Sequence, residues 1–174
     1  MSAAYGGRNV GASSSSVDFY NSVFKNILEG KFDEAVDVVM EKGGNAFKLE
    51  RSSFRRLYEH IDGFLTEVIR LSEIRQKGQS GYGDYINRLV FMSGKLDVIV
   101  QYQVARDIVG VNLGNGIKRV LREIRNFLKN GQFDSAKRHA EALKLSLEML
   151  IAYVAMAKRT QADSAAHRRV EHGR

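Results

Sequence analysis

The chain has 174 residues and contains no cysteine, which excludes disulfides, thiolate metal sites and cysteine nucleophiles. This length suits one domain with a substantial core, and the absence of proline leaves long helices uninterrupted. No uncharged run reaches the roughly 18 residues that a membrane-spanning helix needs. We therefore expect no membrane segment and a cytoplasmic location, with which the lack of cysteine is compatible.

The net charge of +7 is distributed unevenly along the chain. Residues 1–50 carry five basic and seven acidic side chains, whereas residues 51–174 carry 22 basic and 13 acidic ones. A basic excess concentrated in one part of a chain favours a polyanionic partner such as nucleic acid. A solvated surface of lysine and arginine is the alternative reading, and charge alone does not decide between them.

The first 16 residues are rich in glycine and serine and are predicted to form a disordered tail. Ser16 is suited to cap a first helix over residues 17–29, which Gly30 then ends. A second, short helix is predicted over residues 32–42. Ser52 or Ser53 is predicted to open a third helix, which continues to about residue 75 with apolar side chains at helical spacing.

The stretch Asp84–Asp107 carries apolar side chains at almost every angle around a helix. A helix that is apolar all round is typically buried on all sides, and a run of about 24 residues is too long for a strand. We therefore predict an all-α fold, a single bundle of five to six helices around this central helix, in a domain that spans residues 17–159. Tyr102 and Tyr153 are expected to fill its core.

Residues 110–116 are predicted to form a loop before a fifth helix, residues 117–129, with one clean apolar face. Four basic side chains, separated by four, three and four positions, fall within an arc of roughly 60° on the far side. This basic stripe consists of Lys118, Arg122, Arg125 and Lys129, with Arg119 at its margin. We expect the stripe to be solvated and to contact phosphates, or alternatively to be an ordinary solvated helix exterior.

A sixth helix is predicted over residues 133–158, followed by a loose basic tail over residues 160–174. The segment around Gly30, where a helix ends and Phe-Asp begins the next, is repeated about 100 residues later around Gly131. The distance between these copies does not match the period of a helical repeat, so we interpret them as two helical hairpins with the same turn chemistry.

Nothing in the sequence indicates catalysis. The four histidines match no metal-binding spacing, and no nucleophile, base and orienting group occur together. We therefore expect no enzyme activity, no metal, no cofactor and no small-molecule substrate. Glu148 lies in the apolar half of its helix and is expected to pair with an arginine. Arg55 and Arg106 are the candidates, and each of them is expected either to form such a structural pair or to contact nucleic acid.

Three local patterns, in the same order and helical context, resemble one family. Residues 49–58, LERSSFRRLY, resemble the opening Leu-Thr-Thr-Ser-Gln-Ile-Arg-x-x-Tyr/Phe of the small helical subunit of type III-A CRISPR (Csm) effector complexes. The segment YQVAR, residues 102–106, is similar to its Leu-Ala-Tyr-x-x-x-Arg helix, and LEMLIAY, residues 147–153, is similar to its closing Phe-Glu-Ala-Ile-Val-Ala-Tyr. The resemblance covers residues 26–158.

This resemblance implies a non-catalytic small subunit that stacks along the complex and contacts the guide and target RNA backbone without sequence specificity. Its expected partners are guide RNA, target RNA, other subunits of the complex and further copies of itself. A helical protein–protein adaptor without RNA binding is the alternative. The residues expected to contact RNA are Arg51, Arg55, Arg56, Lys95, Arg106, Lys118, Arg119, Arg122, Arg125 and Lys129.

Overall fold

The computed structural model describes the backbone over residues 17–47, 51–76 and 81–171, and the side chains over residues 17–41, 47, 52–71, 74 and 81–156. The described chain forms an all-α bundle of six helices, which confirms the predicted fold class. The helices are α1, which is a π-helical stretch Tyr20–Phe24 continued by Lys25–Leu28, α2 Phe32–Ala46, α3 Arg51–Gln76, α4 Tyr82–Ala105, α5 Val111–Lys129 and α6 Phe133–Glu171.

The centre of the bundle is α6, which packs against α3, α5, α2 and α1. Its contact side combines small residues near its start with leucines further along, and all of them are buried. The small residues let the neighbouring helices approach, and the leucines fill the space between them. These buried positions include Ala136, Ala140, Leu143, Leu147 and Leu150.

The helix predicted to be central lies instead at the edge of the bundle, where α4 packs against α5 and α3. One stripe of α4 is buried, with Leu89, Leu96 and Val100 at most 5% exposed. On the opposite side Phe91 is 74% exposed and Val98 70% exposed. The prediction of a helix buried on all sides is therefore wrong, because part of its apolar surface has no covering helix in the described chain.

The predicted loop over residues 110–116 is helical, since α5 already begins at Val111. Its glycines serve packing between helices rather than a turn. A Cβ on Gly116 would lie 2.7 Å from Phe19 Cδ1, and one on Gly114 would collide with Val104. The absence of a side chain at these positions therefore lets α1 and α4 contact the α5 backbone closely.

The two hairpins recognised in the sequence have the same helix ending. Gly30 has φ 79° and Gly131 has φ 69°, a left-handed conformation that favours glycine. After the first helix, Lys31 N–H donates to Asn26 O at 2.7 Å, and after α5, Gln132 N–H donates to Phe127 O at 2.8 Å. This hydrogen bond across six residues is the Schellman ending, so the shared turn chemistry is confirmed.

The two ends of the bundle differ from the sequence prediction. The backbone N–H of Tyr20 donates to Asp18 Oδ1 at 3.0 Å, so Asp18 acts as the cap of α1. Ser16 and the rest of the predicted tail over residues 1–16 lie outside the described residues. At the other end, α6 continues to Glu171 rather than ending at Lys158. The reason is that the sequence has no glycine or proline between Phe133, where the helix begins, and Gly173.

Candidate nucleic-acid interface

A groove of about 430 Å³ lies between α4 and α5. From α5 it is lined by Lys118 and Arg122, and from α4 by Gln101, Tyr102 and other residues between Gly94 and Ala105. The two cations are one helical turn apart and thus lie on the same side of α5. The groove is therefore open, basic on one wall and partly aromatic on the other.

The basic stripe of α5 is held by polar side chains of α4, not surrounded by solvent alone. Arg122 Nε donates to Asp97 Oδ2 at 3.0 Å, and Arg125 Nη2 lies 3.9 Å from the same oxygen. Lys118 Nζ donates to Gln101 Oε1. The Arg122 side chain is 56% exposed and that of Arg125 24% exposed. Arg122 is thus oriented by a partner and still accessible to a ligand, whereas Arg125 is mostly covered.

A second, polar pocket of about 370 Å³ lies between the first turns of α3 and the end of α4. Arg56 and Arg106 contribute its two cations, and Ser53 and Gln103 contribute further polar groups. The Oε1 atom of Gln103 is buried and has no hydrogen-bond partner in the described part of the chain. Two guanidinium groups beside a hydroxyl form an arrangement suited to an anion such as phosphate.

The last turn of α4 separates the pocket from the groove. Here the Arg106 guanidinium lies 5.5 Å from the centroid of the Tyr102 ring, and its Nη1 is 3.5 Å from the Tyr102 hydroxyl. Tyr102 is 56% exposed, so the prediction that it fills the core is wrong. Both side chains lie on the surface because α4 has no covering helix on this side within the described chain.

The predicted pairing of Glu148 with an arginine is also wrong. Glu148 is exposed and accepts a hydrogen bond from the Tyr58 hydroxyl at 3.1 Å. Asp62 Oδ1 lies 3.4 Å from the same hydroxyl and pairs with Lys144 at 2.6 Å. Burial and these two carboxylates raise the pKa of Tyr58 well above its usual range. Arg55 is exposed and pairs with Glu59 on its own helix at 3.4 Å.

The remaining predicted residues are spread over several surfaces. Arg119 lies on the other flank of α5, with its guanidinium 3.7 Å from the centroid of the Tyr20 ring and its Nε 3.4 Å from Glu123 Oε1. Lys95 is exposed on the outer side of α4, and Lys129 is exposed in the last turn of α5. The side chain of Arg51 lies outside the described residues. The structure thus brings together Lys118 and Arg122 in the groove, and Arg56 and Arg106 in the pocket.

Sequence reasoning missed the polar residues that orient these cations. Asp97 and Gln101 are four positions apart on α4, and Lys118 and Arg122 are four positions apart on α5. The signal in the sequence is a pair of hydrogen-bond acceptors at i, i+4 on one helix and a pair of cations at the same spacing on the next. The signal requires knowing that α4 and α5 face each other, which their order along the chain suggests.

Within the described residues, no group of three or more histidine, aspartate and glutamate side chains could hold a metal ion. None of the described helices has the length and apolarity that crossing a membrane requires. Comparison of the sequence with protein-family models and with curated proteins, and of the structure with solved structures, finds no match.

Proposed function

We propose that this protein is a non-catalytic RNA-binding small subunit of a type III-A CRISPR interference complex, acting in the cytoplasm. In this role it binds the phosphate backbone of guide and target RNA without reading sequence. It also contacts other subunits of the complex and further copies of itself. The proposal combines the resemblance of three sequence segments with one structural observation, the paired cations on both sides of the last turn of α4.

The arrangement of these cations supports backbone binding. Lys118 and Arg122 line the groove, and Arg56 and Arg106 line the adjoining pocket. Lysine and arginine attract phosphates whatever the base, so such a surface gives binding that depends on salt and tolerates any sequence. The Asp97 carboxylate is paired with Arg122 at 3.0 Å, so it orients this guanidinium towards the groove and at the same time competes with phosphate for its charge.

The direct test replaces the two groove cations by neutral side chains, Lys118→Gln with Arg122→Gln, and measures RNA affinity over a range of salt concentrations. If each cation contacts one phosphate, the slope of log affinity against log salt should fall by about two for every unrelated RNA sequence. The matched control is Lys137→Gln with Arg138→Gln on α6, which removes the same charge elsewhere. An equal loss of RNA affinity in both double variants would mean that binding depends only on net charge, and it would contradict a defined binding site.

Membership of the complex requires a separate experiment. The chain, carrying an affinity tag and produced in its native host, should be recovered together with guide RNA and the other subunits. Sequencing of the bound RNA then gives a direct readout. Recovery of the tagged protein with diverse cellular RNA and no guide RNA would contradict assignment to a CRISPR complex while leaving RNA binding itself intact.

A protein–protein adaptor without RNA binding is the second candidate, and the exposed side of α2 favours it. Phe32, Val36 and Met40 are spaced by four residues and are 50%, 43% and 50% exposed. An adjoining stripe carries the exposed carboxylates of Asp33, Asp37 and Glu41. An apolar stripe of this kind typically contacts another protein. If the unmodified chain binds no RNA even at low salt, whereas Val36→Asp with Met40→Asp releases a copurifying protein, the adaptor function is correct.

A further inference from the structure

The outer side of α4 carries an exposed stripe of large apolar side chains, two of them aromatic. Phe91 is 74% exposed, Val98 70% and Tyr102 56%. Because they are separated by seven and four residues, they lie on one face of the helix. With a rise of 1.5 Å per residue, Phe91 and Tyr102 are about 16 Å apart along the axis. A contiguous exposed apolar stripe of this kind typically marks an interaction site.

Cations lie on both sides of this stripe. On α4 itself, Lys95 is exposed between Phe91 and Tyr102, and Arg106 lies against the Tyr102 ring. Across the groove, Lys118 and Arg122 extend from α5. The carboxylate of Asp97 also lines the groove, but it is already paired with Arg122. The surroundings of the aromatic rings therefore attract a polyanion.

The apolar side of α2 provides an internal comparison. Phe32 is 50% exposed there, yet all charged side chains that the structure describes on α2 are acidic, namely Asp33, Glu34, Asp37 and Glu41. Arg138 of α6 lines the same pocket as Phe32, but Glu141 lies beside it there, so acidic groups prevail around this ring, and its surroundings attract phosphates less than those of the α4 rings do. Among the side chains that the structure describes, exposed aromatic rings thus occur in two electrostatic settings, and those on α4 lie in the more basic one.

We infer that the outer face of α4 binds single-stranded RNA, with bases stacked on Phe91 and Tyr102 and phosphates held by the flanking cations. The inference rests on the proposed RNA-binding function and specifies its ligand. In an RNA duplex the faces of the bases are stacked on one another, and only base edges, sugars and phosphates are accessible at the surface, so exposed protein rings have no base face to stack on. An unpaired strand does gain from them, because stacking on aromatic side chains adds to phosphate binding and accepts any base.

The test separates the contribution of base stacking on the aromatic rings from the contribution of apolar surface area. Phe91→Leu with Tyr102→Leu removes both rings and keeps an apolar surface, whereas Phe91→Tyr with Tyr102→Phe keeps both rings. Affinity is measured for a single-stranded RNA containing 2-aminopurine and for a duplex of the same length. We expect the leucine variant to bind the single strand at least about tenfold more weakly, with less quenching of 2-aminopurine fluorescence and unchanged duplex affinity. The ring-preserving variant should match the unmodified chain, as should Phe32→Leu.

Three results would overturn the inference. The leucine variant could bind the single strand as tightly as the unmodified chain, or it could lose affinity for the duplex and the single strand equally. It could also lose association between copies in analytical ultracentrifugation while keeping RNA affinity, which would make the stripe a protein interface. The variant Lys118→Gln with Arg122→Gln separates the two proposals: if it loses RNA affinity and the leucine variant does not, only base stacking is wrong.

Discussion

Arg122 Nε lies 3.0 Å from Asp97 Oδ2, and this ion pair joins the basic stripe of α5 to α4. The other carboxylate oxygen, Oδ1, is buried and has no hydrogen-bond partner within the described residues. Arg125 approaches the same carboxylate at 3.9 Å. One carboxylate thus partly neutralises two of the four cations in the stripe, so Asp97 controls how much positive charge is available to a ligand.

Replacing Asp97 by Asn should strengthen RNA binding. The change keeps the side-chain shape but removes the negative charge that competes with phosphate for Arg122 and Arg125, so affinity and its salt dependence should both increase. Stability should fall by no more than about 1 kcal/mol, because the Arg122 side of the pair is exposed. Fluorescence anisotropy with labelled RNA and thermal unfolding measure the two effects.

Asp37→Asn on α2 is the matched control for this experiment, because it removes one exposed carboxylate far along the chain from the groove. It should change RNA affinity less than Asp97→Asn does. If Asp97→Asn instead weakens binding, the carboxylate contributes by orienting Arg122, and competition with phosphate is the smaller effect.

Replacing Gly116 and Gly63 by alanine should change the free energy of unfolding in opposite directions, although both glycines lie within helices. A Cβ on Gly116 would lie 2.7 Å from Phe19 Cδ1 and 3.1 Å from the Tyr20 backbone nitrogen, so Gly116→Ala must displace α1. We expect a loss of about 1–3 kcal/mol in the free energy of unfolding. Gly63 is exposed on α3 with nothing within 4 Å of its added Cβ, so Gly63→Ala should stabilise the protein by up to about 1 kcal/mol through helix propensity.

Chemical denaturation of both variants checks this prediction. The opposite signs are the informative part, because each variant adds the same methyl group to a glycine within a helix. Destabilisation by Gly63→Ala would indicate that this part of α3 is covered by something beyond the described chain. An unchanged free energy of unfolding in Gly116→Ala would indicate that α1 can move away from α5 with little loss of stability.

The pH dependence of stability should have a contribution from His139. This imidazole packs against Phe127 in a tilted arrangement with ring centroids 4.7 Å apart. Burial lowers its pKa below the usual 6.5, against the opposing effects of the Ser135 carbonyl and Glu123. As pH falls below about 6.5, the unfolded chain takes up a proton at this site before the folded protein does. The free energy of unfolding should therefore decrease from that pH down to the pKa of the folded state and change little above it.

Denaturant unfolding at a series of pH values between 5 and 8 measures this contribution. His139→Gln should reduce the dependence on pH in the acidic part of the range, while lowering stability at neutral pH through lost ring packing. His60→Gln is the control, because His60 is exposed on α3 and is solvated in both states. An unchanged pH dependence in His139→Gln would show that other groups produce it.

The sequence by itself determined the local structure. Helical periodicity predicted the existence and approximate bounds of α3 and the apolar and basic faces of α5, because these depend on the angle between residues of one helix. The glycines at positions 30 and 131 predicted two helix endings, since a left-handed residue at a helix end is a local requirement. The polar composition after Lys158 predicts a loose tail, yet α6 continues to Glu171, because the chain has no glycine or proline between Phe133 and Gly173.

Only the tertiary structure decided which surfaces are covered. The apolar residues of α4 predicted burial on all sides, but whether Phe91 and Tyr102 meet another helix depends on how many helices pack around α4. In the same way, Gly114 and Gly116 looked like a loop because the close approach of Val104 and Phe19 is a contact between distant segments. The partner of Arg122 could not be read from α5 for the same reason. Periodicity fixes the faces of a helix relative to one another, whereas the arrangement of neighbouring helices fixes which of those faces meets protein, solvent or a ligand.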